Sequence, residues 1–125
     1  MNIIISNASP EPIYRQISEQ IKALIINNEL SAGDLLPSIR SMARDLRVSV
    51  ITTKRAYEVL EEEGFIDSVQ GKGCFVSHRN KELLKEIRLK TFEDLLLQVI
   101  EEGRKLNLTL EDIFSAIREL NKEEV

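Results

Sequence analysis

The chain has 125 residues, 42% of them hydrophobic and 30% charged, with a formal net charge of −4. That length suits one domain, or a small domain with a helical appendage, and the composition is that of a chain that folds and stays in solution. One cysteine, Cys74, excludes an internal disulfide, the opening MNIIISNASPEP lacks the basic segment of a signal peptide, and no window approaches the roughly 18 apolar residues of a membrane span, so a cytoplasmic protein with no membrane part is expected.

Ile3 to Ser6 reads as a short edge strand. Ser9-Pro10-Glu11-Pro12 then opens a helix, because a proline in the first turn gives up no needed N–H. Tyr14, Ile17, Ile21, Leu24 and Ile25 follow at helical spacing. Asn27-Asn28 is a stop, since asparagine tolerates the left-handed C-cap conformation. ELSAGDLLP is a connector that turns at Gly33. Ser38, placed after Pro37, caps a second helix with an apolar stripe of Ile39, Met42, Ala43 and Leu46. Ser49 caps a third, which carries Thr53, Ala56, Tyr57 and Leu60 on one face and ends at Gly64. Val48 plugs the turn between them, and the small Ala43 and Ala56 allow close contact. Two short helices joined this way read as a helix-turn-helix.

FIDSVQGKGCFVS comes next. Phe65-Ile66 and Cys74-Phe75-Val76 are β-prone, with turn residues between, so a hairpin is expected; after a helix-turn-helix it is a wing. Gly71-Lys72-Gly73 is not a phosphate-binding P-loop, which needs a preceding strand, a longer glycine-rich loop and a following helix. The composition changes at Asn80. Lys81 to Glu102 is a long helical pattern that Gly103 is expected to break. Thr109-Leu110-Glu111-Asp112 resembles a capping box, with Leu108 and Ile113 as a hydrophobic staple, and a last helix follows. Two helices of this size need a partner surface, and a second copy of the chain supplies one. The residues expected there are Leu84, Ile87, Phe92, Leu95, Leu96, Val99, Ile113, Phe114 and Ile117. The fold class is mainly α with a small β-hairpin (α+β), divided into a winged helix-turn-helix at 1–78 and a helical dimerisation and effector region at 79–125.

The negative net charge hides a local excess of the opposite sign. Between Ser38 and Arg55, five basic residues face one acid, a net of +4, whereas Glu58 to Asp67 holds five acids and no base. Local charge, not the average, governs phosphate contact. On the third helix, Ser49, Val50, Ile51, Thr52, Lys54 and Arg55 form the part that enters a major groove. Val50 and Ile51 suit thymine methyls, Thr52 a phosphate or base edge, Lys54 a guanine edge or phosphate, and Arg55 phosphate.

The stretch from Pro12 to Ser77 resembles the winged-helix DNA-binding domain of the GntR family of bacterial transcription regulators. The resemblance rests on Pro12-Ile13-Tyr14, Gly33-Asp34, Leu36-Pro37-Ser38 with Arg40, Val48-Ser49, Leu60 through Gly64, and Gly71-x-Gly73-x-Phe75-Val76. The short tail and the TTKRAY of the third helix are similar to the YtrA-like subgroup, whose C-terminal part serves mainly in dimerisation. The resemblance implies a homodimeric DNA-binding regulator, a repressor on an inverted-repeat operator. It implies DNA contacts at Ser38 and Arg40, and at the wing residues Gly71, Lys72 and Gly73. It also implies a gene beside ABC-transporter genes, released by envelope stress or by an unknown small-molecule effector. Departures are Val50 where many members carry arginine, Thr53 for valine, Cys74 for threonine and Asn28 for glycine.

Other readings carry less. Tyr57 belongs to the core by its spacing. His78, the single histidine, has no companions at metal-ligand spacing, so neither metal nor cofactor is expected. Cys74 reads as a small strand residue rather than a sensor. No Ser-His-Asp or Cys-His arrangement supports an enzyme. The alternative function is a winged-helix protein-interaction module without DNA binding.

Overall fold

A computed structural model describes residues 1–123. In chain order these form α1 (Ile13–Ile26), α2 (Ile39–Leu46), α3 (Val50–Glu62), β1 (Ile66–Val69), β2 (Gly73–Val76), α4 (Lys81–Lys105) and α5 (Leu110–Glu123). The described residues make two compact units, Met1–Lys85 and one that begins at Glu86. The division falls inside α4.

In the first unit, α1 and α2 both pack on α3, and β1 follows α3 to pair antiparallel with β2. The register is Ile66 opposite Val76 through Val69 opposite Gly73. Ile17, Ile21, Leu60, Ile66 and Val76 are fully buried, and Val48 packs on this core from the α2–α3 turn as expected. Both serine caps form: Ser38 Oγ accepts from Ser41 N at 3.0 Å, and Ser49 Oγ accepts from Thr52 N at 3.0 Å. Asn28 takes the left-handed conformation at φ 62° after α1.

One local feature differs from the sequence expectation, and two more add detail to it. Ile3 to Ser6 is not a strand. Two glutamines of α1 stand in for a neighbouring strand, since a carboxamide offers a donor and an acceptor as a peptide unit does. Gln20 Nε2 donates to Ile4 O at 2.7 Å and Gln20 Oε1 accepts from Ile4 N at 2.9 Å. Gln16 treats Ser6 the same way, and Ile3 is buried in the core. Next, the Gly33–Leu36 connector lies along the free edge of β2. Gly33 N donates to Val76 O at 2.8 Å, Val76 N to Asp34 O at 2.9 Å, and Leu36 N to Cys74 O at 2.8 Å. Last, the turn between α2 and α3 is closed by Arg47 in the left-handed region, φ 58°, with Val48 N donating to Ala43 O at 3.0 Å.

In the second unit, Gly103 does not break α4, which continues to Lys105. The Ile113 Cδ1 atom of α5 sits 2.7 Å from where a Cβ on Gly103 would be. The glycine is there to let α5 approach, and Asn107 at φ 57° makes the turn instead. The capping box is formed: Thr109 N donates to Asp112 Oδ2 at 2.8 Å, and Asp112 N donates to Thr109 Oγ1 at 3.1 Å.

Two buried hydroxyls of α3 lead to opposite expectations. Tyr57, 3% exposed, donates to Pro37 O at 2.7 Å and ties α3 to the start of α2. Burial, with Cys74 nearby, pushes its phenol well above the usual tyrosine range, so it remains a donor. Thr53, 0% exposed, donates only back to Ser49 O at 3.2 Å, a carbonyl that Thr53 N already reaches at 3.1 Å. Tyr57→Phe is therefore expected to cost about 1–2 kcal/mol, because it strands a carbonyl. Thr53→Val keeps the shape and removes a dispensable hydroxyl, so it is expected to be neutral or to stabilise by up to about 1 kcal/mol. Urea unfolding with an unchanged slope checks both; equal losses in the two variants would contradict this account.

Candidate nucleic-acid interface

The surface of the first unit is built outward from α3. Its inner side, with Thr53, Ala56, Tyr57 and Leu60, is buried. The period of 3.6 residues then leaves Val50, Ile51, Lys54 and Arg55 on the outer side. Val50 is 48% exposed and Ile51 81%, the most exposed large hydrophobic among the described residues. Nothing in the first unit covers this pair. At the start of the helix, Ser49 Oγ donates to Thr52 Oγ1 at 2.8 Å while accepting from Thr52 N. The Thr52 hydroxyl proton is then free to donate outward.

Arg40 stands exposed in the first turn of α2, just after the cap at Ser38. The wing turn, Gln70-Gly71-Lys72, is closed by Lys72 N donating to Val69 O at 2.9 Å. Gly71 at φ 79° and Gly73 at φ 109° both occupy backbone conformations that L side chains rarely adopt. A Cβ on Gly71 would meet nothing, so its role is the turn itself; one on Gly73 would crowd Leu35 Cδ1 at 3.3 Å. Lys72 is thus lifted to an exposed tip. Arg40 and Lys72, 32 residues apart in sequence, line one recess of about 340 Å³ floored by Pro37, Tyr57 and Cys74. The sequence placed each of them on a separate element; the fold brings them together.

Most of the basic side chains here lack an acidic partner. Among the described residues, Arg40, Arg47, Lys54, Arg55 and Lys72 have no carboxylate within ion-pair distance, whereas Arg44 lies 3.6 Å from Asp45. Elsewhere, Lys22 is held by Glu19 and Glu63, and Arg79 by Asp67. Burial opposes the charge of Lys22, but its bonds to Glu63 and Glu19 win and raise its pKa. Unpaired cations on the unit that carries an exposed apolar pair are suited to phosphates flanking methyl-bearing base edges. Arg47, exposed at the α2–α3 turn, was not singled out from the sequence, because nothing in RVS marks an arginine as the left-handed residue.

The residues expected at a dimer surface divide. Phe92, Leu95, Leu96, Val99, Phe114 and Ile117 are 39–56% exposed. Leu84 instead packs on the core of the first unit, and Ile113 is buried at 9% exposure against Gly103. These two are satisfied within the chain. Ile87 is half-buried. A groove of about 470 Å³ between α4 and α5 is lined by Leu95, Val99, Leu108, Ile117 and Leu120.

Cys74 is half-buried, its Sγ 3.4 Å from Ser68 Oγ. Among the described residues no three His, Cys, Asp or Glu side chains are grouped to hold a metal ion, and no helix is long and apolar enough to cross a membrane.

Comparison with known proteins shows the family to which this fold belongs. Residues 13–76 match the family described as "Bacterial regulatory proteins, gntR family". The HTH-type transcriptional repressor YtrA of Bacillus subtilis is 32% identical over 97% of this chain and 93% of its own length. A solved structure of YtrA from Sulfolobus acidocaldarius, a GntR-family transcription factor, is 40% identical, covers 73% of this chain and 97% of that one, and superposes with a TM-score of 0.58. The DNA-binding domain of AraR in complex with operator ORR3 is 26% identical, covers 62% and 93%, and has a TM-score of 0.53. The chain belongs to the gntR family of bacterial regulatory proteins and is a DNA-binding transcription regulator.

Proposed function

We propose that the protein is a homodimeric repressor that reads an inverted-repeat operator, one half-site per subunit. The observation that carries this is the uncovered Val50-Ile51 pair on α3, on the same helix as Lys54 and Arg55, which have no acidic partners. In this reading α3 lies in the major groove, with Val50 and Ile51 against thymine methyls and Thr52 and Lys54 on base edges or phosphates. Ser38, Ser49, Arg40 and Arg55 face the backbone, and the wing brings Gly71, Lys72 and Gly73 to the flanking groove. The exposed apolar residues of α4 and α5, from Phe92 to Ile117 but without Ile113, support pairing with a second copy. The domain division proposed is a winged helix up to residue 78 and a dimerisation region from 79. Control of transporter genes in the cytoplasm, and release by a small molecule, are the biological form of the proposal.

Arg40→Ala and Lys72→Ala are each expected to weaken operator binding and to lower the slope of log affinity against log salt by about 1, because each phosphate contact releases roughly one counterion. Both side chains are exposed, so thermal unfolding should not move. An unchanged slope removes that residue from the backbone contacts. Footprinting upstream of the protein's own gene is expected to show two symmetric half-sites about 10 bp or a multiple apart. A single unsymmetrical footprint would sink the dimeric reading, and no specific retention at low salt would favour a protein-interaction module. Phe92→Glu, at a side chain 56% exposed, is expected to give a folded monomer by sedimentation, with the footprint lost at concentrations that saturate the parent.

A further inference from the structure

We infer that Tyr14 of α1 is a positioning residue for DNA binding, holding the Arg55 guanidinium in place for a backbone phosphate. The inference deepens the reading above and rests on Arg55 touching DNA. Arg55 lies at the edge of the outer face of α3 nearest α1, where its Cζ stands 5.4 Å from the centroid of the Tyr14 ring. That is within the range of a cation–π contact, and a guanidinium stacked on a ring keeps its edge N–H groups free to donate sideways.

Two observations separate this pair from ordinary surface stacking. Arg55 has no carboxylate partner among the described residues, so the ring is its one fixed neighbour. Arg15, the other guanidinium over the same ring at 5.7 Å, also has acidic partners, Glu11 at 3.8 Å and Glu19 at 3.9 Å. The ring is itself half-buried and packed on the core. An anchored ring therefore restrains a long side chain that otherwise spends conformational entropy on every phosphate contact.

The test is a double-mutant cycle on operator affinity in the full-length protein, with thermal unfolding of every variant. Tyr14→Leu, which keeps apolar bulk and removes the ring, is expected to weaken binding about threefold, the size of an exposed cation–π contact. Tyr14→Phe, which loses only the hydroxyl, is expected to bind as the parent does. In an Arg55→Ala background, Tyr14→Leu is expected to have no further effect. Arg55→Ala alone reports on the underlying reading: parental affinity there would show that Arg55 does not touch DNA. If Arg55→Ala weakens binding but Tyr14→Leu does not, the positioning role is overturned. An equal loss from Tyr14→Leu in both backgrounds, or from Tyr14→Phe, overturns it as well, since Tyr14 would then act without Arg55.

Discussion

The burial of one side of α3 is the constraint on which the rest depends. α1 and α2 both pack on this helix, and Thr53, Ala56 and Leu60 are fully buried where they meet it. Once those positions are committed, helical geometry leaves no freedom for the others. Val50, Ile51, Lys54 and Arg55 must face away, whatever that costs in exposed apolar surface. The small Ala56 allows neighbouring helices to approach, and the hydroxyl of Thr53, a departure from valine, is accommodated by bonding back to Ser49 O. The exposed face of α3 is in this sense a consequence of the core rather than a separate feature attached to it.

The remaining elements of the first unit hold that helix at both ends. Arg47 closes the turn before it, Ser49 caps it, and Tyr57 fastens its middle to Pro37. At its far end β1 begins, and β2 is flanked on its other edge by the Gly33–Leu36 segment. The wing is therefore the extension of a small sheet tied to the core through Ile66 and Val76, both buried. A turn built on Gly71 and Gly73 then presents Lys72 from a fixed base. Rigid scaffolding beneath short exposed segments is the usual way that recognition is separated from folding.

The second unit follows a different logic. Within α4 the apolar residues meet different fates: Leu84 packs on the first unit's core, while Phe92, Leu95, Leu96 and Val99 are exposed. The single sequence pattern from Leu84 to Val99 thus served two surfaces. Gly103 shows the same principle at close range. As a residue type it signals a helix end, yet here it is buried in a continuous helix because Ile113 occupies the space of its missing side chain.

What the sequence by itself determined is local: the helical periods, the serine caps at Ser38 and Ser49, the capping box at Thr109, and the glycine-bearing turn of the wing. Each of these depends on residues within about five positions of one another, the range over which backbone hydrogen bonding and capping act. The outer residues of α3 were legible too, because a buried stripe implies its opposite. Only the tertiary structure decided the rest. It set Gln16 and Gln20 against Ile3–Ser6 and laid the connector on β2. It also turned Leu84 and Ile113 inward, brought Arg40 and Lys72 to one recess, and stacked Arg55 on Tyr14. All of these are contacts between segments far apart in the chain, and side-chain packing, which has no short sequence period, chooses among them.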